Sequence, residues 1–374
     1  MRLHVDRFVI RDTRICPFFP ALLLALVLTL TAAQASPLKS DEEVVLFPTA
    51  AHLSDDGAHW IVPIYGWVFE PERGSLLRSG LLGTAAAALG LEKSATESEI
   101  FRERAGWLLV DNERGKWLSL TIAPDTRRFG SSQANGHLRA ELKLERRTNG
   151  AKPAPFWLHY AVQPPPGDKR IFAGQTLMVP KQGLSVISDI DDTVKISDVT
   201  NKQALLENTF LKPFEAVPGM AALYQDLARK ETTFHYVSSS PWQLYPPLRD
   251  FFEDVGLPNG SFHLRSFRLK DNSFFDLFKS SRETKPQVIE TLLTTFPGRK
   301  FILIGDSGEA DPEIYGDIAR RHRDQVSAIL IRNVTADRAT DPRYMDEAFK
   351  HLSPDLWLLF DRAKTAREFL ADRL

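Results

Sequence analysis

Cysteine is almost absent from this chain. The single one, Cys16, stands before the apolar run Phe18–Leu30. A lipid-bearing cysteine would follow such a run, so anchoring through Cys16 is not expected. If the chain is cut after that run, no cysteine remains, which excludes disulfides and thiol catalysis. Net charge is absent too. The 47 Lys and Arg residues nearly balance the 48 Asp and Glu residues, giving a formal charge of −1. That argues against a nucleic-acid partner held by bulk positive charge. The longest apolar run falls short of the roughly 20 residues that a spanning helix wants. There is no internal repeat and no long low-complexity tract.

What is present begins with an export signal. Arg2, Arg7, Arg11 and Arg14 form a basic lead, the apolar run follows, and Ala33-Gln34-Ala35 supplies a small-x-small cleavage site. Residues 1–35 are expected to be a secretory signal peptide cleaved after Ala35, leaving a periplasmic or secreted protein. An uncleaved membrane anchor is the alternative. With about 150 residues per domain as a prior, 374 residues suggest two domains.

Two rhythms divide the remainder. Residues 36–59 read as a polar lead-in, Trp60–Phe69 as a strand, and Ser79–Leu91, with its alanine run, as one short helix. Trp107–Val110 and Trp117–Ile122 flank Asp111-Asn112-Glu113-Arg114-Gly115 as a hairpin would. His137–Glu145 alternates: Leu138, Ala140, Leu142 and Leu144 on one face, Arg139, Glu141, Lys143 and Glu145 on the other. That is a half-buried antiparallel strand, and Phe156–Val162 is another. Residues 36–180 are therefore expected to be a smaller, mostly antiparallel β domain, a sandwich or barrel. From residue 181 to 374, short apolar runs (184–188, 233–237, 301–304, 326–331) alternate with helical patterns opened by proline. This predicts an α/β domain with a parallel sheet and crossover helices.

The chemistry gathers where those runs stop. After Val186 and Ile187 come Asp189, Asp191, Asp192 and Thr193. Carboxylates this close repel one another, and a folded chain tolerates them best with a cation. At the carboxyl end of a parallel strand they would face the crevice where open sheets bind ligands. An aspartate there can serve as nucleophile or metal ligand. A solvated acidic loop is the plain alternative. An EF-hand is excluded, because counting from Asp189 the sixth and twelfth positions hold Val194 and Thr200 in place of Gly and Glu. A helix start capped by Asp192 or Thr193 is compatible with the functional reading.

Other strand ends carry related signals. Phe234–Val237 leads into Ser238-Ser239-Ser240-Pro241-Trp242, where a hydroxyl and a helix start suit a phosphate, or merely a cap. Phe301–Ile304 leads into Gly305-Asp306-Ser307-Gly308-Glu309-Ala310-Asp311. Gly-Asp-Ser-Gly also occurs in serine proteases, but no histidine stands in a matching setting and Glu309 replaces the next glycine. Thr284-Lys285-Pro286 precedes that strand, and a lysine there can reach a phosphoryl oxygen.

Taken in order, Asp189-x-Asp191-x-Thr193, Ser238, Lys285 and Gly305-Asp306 through Asp311 resemble the four motifs of the haloacid dehalogenase superfamily of phosphotransferases. The longer stretches Ser188–Thr193, His235–Pro246 and Gly305–Glu313 resemble, more narrowly, the phosphatidate phosphatase catalytic domain of the actin-patch-protein type. The resemblance covers roughly residues 180–340. It implies a Rossmann-like parallel sheet and a Mg²⁺-dependent phosphatase that converts phosphatidate to diacylglycerol and phosphate at a membrane surface. It implies Asp189 as nucleophile forming an aspartyl-phosphate, and Asp191 as acid and then base. Ser238 or Ser239, with Lys285, would bind phosphate, and Thr193 would support the turn or contact substrate. Mg²⁺ would be held by Asp189, the Asp191 backbone carbonyl and Asp306, with Asp311 behind them.

Phe210, Leu211 and Phe214, and Phe274, Phe275, Leu277 and Phe278, would embrace acyl chains if exposed, or else form core. Arg265, Arg268 and Lys270 would meet anionic headgroups or face solvent. His235 and His263 are expected to pack or hydrogen-bond rather than catalyse. The short insertion between the first two motifs predicts an open site without a large cap. A phosphatase for soluble phosphomonoesters and a non-enzymatic β-domain binding module are the competing functions. No partner protein is expected.

Overall fold

In the computed structural model, residues 35–71, 75–122, 125–146, 154–266, 284–371 and 373 are described. The expected signal segment, Phe274–Phe278, Arg268 and Lys270 lie outside these residues.

The first half is built on strands β1 (Ser36–Pro37), β2 (Glu43–Phe47), β3 (Thr49–Leu53), β4 (His59–Glu70) and β5 (Asp111–Asn112). It continues through β6 (Lys116–Ile122), β7 (Asp125–Phe129), β8 (His137–Glu145), β9 (Phe156–Val162) and β10 (Phe172–Met178). Their hydrogen bonds are antiparallel except between β1 and β6 and between β3 and β10. The alternation in β8 survives folding: Leu138 and Leu142 are buried while Arg139, Glu141, Lys143 and Glu145 are exposed. Leu46, Val62, Leu138 and Leu142 pack with Leu118, Leu120, Tyr160 and Val162 in one apolar cluster.

Three expectations here are corrected. The polar lead-in contains β2 and β3, whose alternate residues are buried. The single short helix is α1 (Ser75–Ala88), followed by a 3₁₀ turn and a second helix, α2 (Glu99–Leu108). Trp107 therefore belongs to α2, and the hairpin drawn through it does not form. The Ser98 side chain accepts from the Phe101 amide and caps α2, a start signal that the apolar pattern around Trp107 obscured.

The second half is a parallel sheet of β11 (Gly183–Ser188), β12 (Thr233–Pro241), β13 (Ser261–Arg265), β14 (Arg299–Asp306), β15 (Val326–Arg332) and β16 (Trp357–Phe360). The spatial order is β13-β12-β11-β14-β15-β16, so chain direction across the sheet reverses between β11 and β14. Helices α3 (Lys202–Phe210), α4 (Met220–Ala228), α5 (Tyr245–Val255), α6 (Lys285–Thr295), α7 (Asp311–Arg321) and α8 (Ala363–Ala371) connect and cover the strands.

Each central strand is apolar on both sides because both faces are covered. Val186, Ile302 and Ile304 join one cluster, with α4, α5 and α8; Ile187, Phe301 and Leu303 join the other, with α6 and α7. The β-rich half contributes to both. Phe47, Tyr65, Trp67 and Phe69 enter the first cluster, and Leu177 and Val179 enter the second. Residues Ala35–Leu374 form one compact unit.

Candidate active site

The reversal between β11 and β14 leaves a crevice at their carboxyl ends, the position where open α/β sheets bind ligands. Asp189 follows β11 and donates its amide to the Ile304 carbonyl of β14. Asp306 ends β14. Asp311 opens α7, and Lys285 opens α6. Asp189, Asp306 and Asp311 each present a carboxylate oxygen within 4.8 Å of the other two, and all three are buried. Gly305 permits this closeness: a Cβ at that position would stand 2.2 Å from Asp311 Oδ2.

Charge in this cluster is unbalanced. Lys285 Nζ, only 2% exposed, donates to Asp189 Oδ1 at 3.0 Å and to Asp311 Oδ1, and Glu309 Oε2 lies 3.4 Å away. One ammonium thus faces three carboxylates, with that of Asp306 close to two of them. Burial and mutual repulsion push the Asp189 and Asp306 carboxyls well above their ordinary range, against the pull of Lys285. Asp311 is raised as well, first by burial. Burial would lower Lys285, but Asp189, Asp311 and Glu309 outweigh it and hold the ammonium.

Asp306 Oδ1 accepts from the Gly308 amide at 2.6 Å and the Glu309 amide at 3.1 Å. Its Oδ2 is buried with no hydrogen-bond partner. A buried, unpartnered carboxylate oxygen beside two further carboxylates is a donor set suited to a hard cation such as Mg²⁺.

Asp191 is held differently. Its Oδ1 pairs with Lys195 Nζ at 2.8 Å and accepts from Ser197 Oγ at 2.7 Å. Its Oδ2 accepts from Ser238 Oγ at 3.0 Å and Ser240 Oγ at 3.1 Å. Burial raises this carboxyl, but Lys195 and the hydroxyls prevail and bring it down to about 2. The Asp191 carboxylate therefore stands apart from the three-aspartate cluster, leaving its backbone carbonyl as the expected metal ligand.

Thr193 Oγ1 donates to Asp189 Oδ2 at 3.0 Å and is fully buried. Ser239 lines the pocket beside Asp191. Asp192, at a positive φ of 51°, closes the loop after β11 by accepting from the Ser197, Asp198 and Val199 amides. No helix starts there, contrary to the capping expectation. The next helix, α3, begins after Asn201, whose side chain accepts from the Gln203 and Ala204 amides.

Lys195, Ser197, Ser240 and Glu309 were missed by sequence reasoning. Lys195 lies four residues after Asp191, a spacing that marks neighbours on a helix; here a tight loop brings them together. Of the expected acyl-binding residues, Phe210 is fully buried and Leu211 and Phe214 are half-buried, so this stretch is not an exposed lipid surface. His235 Nδ1 pairs with Ser261 Oγ at 2.8 Å, and Ser261 with His263 Nε2 at 3.0 Å.

Part of this chain is similar to known proteins. An uncharacterized protein of Schizosaccharomyces pombe is 31% identical over 172 residues, covering 45% of this chain and 28% of its own. Phosphatidate phosphatase APP1 of Saccharomyces cerevisiae is 33% identical over 175 residues, covering 46% of this chain and 29% of its own. The chain thus spans less than a third of the length of either. A class C acid phosphatase from Bacillus anthracis aligns over 51% of this chain and 79% of its own, at 11% identity and a TM-score of 0.27, too distant to bear on this fold or function. Residues 184–333, the segment that holds every carboxylate of the site, match the catalytic-domain family of phosphatidate phosphatase APP1.

Proposed function

We propose that this protein is a Mg²⁺-dependent phosphatase that hydrolyses a lipid phosphomonoester, phosphatidate first, through an aspartyl-phosphate. The observation that carries this reading is the buried cluster of Asp189, Asp306 and Asp311 around Lys285, within the segment similar to the APP1 catalytic domain. Asp189, Asp306 and the Asp191 carbonyl, with Asp311 behind them, would hold the metal. When bound, Mg²⁺ would supply the positive charge that lets a carboxylate and a phosphate approach.

Asp189 is the nucleophile: its oxygen attacks phosphorus, and the bond to the leaving alkoxide breaks. Thr193 and Lys285 orient that carboxylate from opposite oxygens. Lys285 and Ser238 or Ser239 stabilise the phosphoryl oxygens. Asp191 gives a proton to the leaving alkoxide and takes one from the water that cleaves the intermediate. Lys195, Ser197, Ser238 and Ser240 keep its carboxylate anionic in the free site, so Asp191 must first take up a proton from solvent; phosphoryl oxygens that draw away the Ser238 and Ser240 hydroxyls favour that uptake. Export past the inner membrane, through residues 1–35, would place this activity on a lipid surface outside the cytoplasm.

The test is phosphate release from phosphatidate micelles, nucleotides and sugar phosphates, with and without Mg²⁺. Release from phosphatidate only with Mg²⁺ is expected. Release confined to the soluble esters would move the assignment to a soluble-phosphomonoester phosphatase. No release from any substrate would end the phosphatase reading.

A further inference from the structure

A cavity of about 100 Å³ opens beside Asp191, Ser239 and Ser240. Its wall is largely apolar, with Val199, Leu205, Phe210, Pro241 and Leu244, and also includes Thr209 and Glu309. A phosphoester whose phosphorus lies at Asp189 must place its alcohol side somewhere next to Asp191, the residue that protonates the leaving oxygen. An apolar wall there suits carbon better than a second charge.

That wall is held from outside the phosphatase segment. Leu206, Phe210 and Leu244 share one buried cluster with α1 and α2, through Leu82, Phe101 and Leu108. Arg104 of α2 is also buried, only 6% exposed. Its Nη1 donates to the Thr209 carbonyl at 2.7 Å, the Lys212 carbonyl at 2.9 Å and the Asn208 carbonyl at 3.5 Å. The Asn208 and Thr209 carbonyls belong to the last turn of α3, where carbonyls carry partial negative charge and lack helical partners, and Lys212 follows just after it. The Arg104 guanidinium also lies 3.5 Å from the centroid of the Phe214 ring, and Lys195 Nζ lies 4.9 Å from the same centroid. Lys195 in turn holds Asp191. One side chain of the β-rich half therefore touches both supports of the pocket, the α3 wall and the ring beside Lys195.

We propose that this pocket receives the alcohol side of the phosphomonoester, and that Arg104 is the positioning residue that sets its wall. The inference rests on the phosphatase reading above and assigns the β-rich half a part in substrate choice.

The experiment uses the full chain with Mg²⁺ and two substrates: short-chain phosphatidate in micelles, and acetyl phosphate, which has almost nothing to reach the pocket. Arg104→Met is expected to raise KM for phosphatidate about tenfold, while kcat/KM for acetyl phosphate falls by about threefold or less. Arg104→Lys, which keeps charge but not the planar fork, should fall between. Equal losses on both substrates would reduce Arg104 to a structural residue and overturn the inference, as would an unchanged KM for phosphatidate. If Arg104→Met does not fold, Leu205→Trp narrows the same pocket from within, and an unchanged phosphatidate KM in that variant overturns the assignment. A wild-type chain inactive on both substrates ends the phosphatase reading and this inference with it, a result distinct from an active wild type with indifferent variants.

Discussion

The two halves of the molecule bury charge in opposite ways. In the β-rich half, Glu42 is fully buried and pairs with Lys116 Nζ at 2.5 Å, while Lys39 approaches the same carboxylate at 3.4 Å. Glu113 completes the group, 3.4 Å from Lys116, so two carboxylates meet two ammonium groups. In the parallel-sheet half, Asp189, Asp311 and Glu309 meet Lys285, and Asp306 adds a fourth carboxylate beside Asp189 and Asp311; among the described residues Lys285 is the cation paired with this group. Burying an ion costs several kcal/mol unless a partner compensates it. The balanced group serves the fold. The unbalanced one stores a demand for positive charge, which a cation and a phosphoryl-transfer reaction would use.

Substitutions can break this contrast. The largest expected effect is in the unbalanced group: Asp189→Asn should lower phosphate release by about 10⁴-fold while circular dichroism and the melting transition persist. Full activity in that variant would remove Asp189 as nucleophile. Next comes the balanced group. Glu42→Gln should destabilise the fold by about 3–5 kcal/mol, because it leaves buried Lys116 without its nearest anion, and urea unfolding would measure it.

A smaller effect concerns His137, whose two ring nitrogens have no hydrogen-bond partner among Phe47, Tyr65 and Trp67. Burial, helped by Arg139, lowers it from 6.5 to about 3. Between those values the unfolded chain binds a proton that the folded chain refuses. The stability is therefore complete above pH 6.5 and lost as pH falls, at up to about 1.4 kcal/mol per pH unit. His137→Phe should flatten that part of the urea-midpoint profile, and an unchanged slope would contradict it. The smallest effect sharpens the contrast most. In metal-free buffer Asp306→Asn should raise Tm slightly, by ~2 °C, since it removes repulsion where Glu42→Gln removes attraction. Mg²⁺ should then raise the Tm of the wild type and leave that of Asp306→Asn unmoved.

Much of this was legible before folding. The apolar runs that stop at Asp189 and Asp306 do mark the ends of β11 and β14, whereas β12 carries on through Ser238 to Pro241. The alternation in His137–Glu145 and the proline-led helix starts are equally local. The misses were of another kind. Lys195 and Ser240 hold Asp191, and Arg104 holds α3, through contacts between distant segments or around a loop whose shape no periodicity announces. The alanine run of α1 was visible, but not its packing on α3, because an apolar helix face does not say which partner covers it.

The amino-acid order alone determined which residues could carry the chemistry, because carboxylate spacing and strand-end position are properties of short stretches. Only the tertiary structure decided how much charge those carboxylates lack, and which outside side chain walls their pocket. Both depend on sums over neighbours brought together from the whole chain, and no single stretch contains that sum.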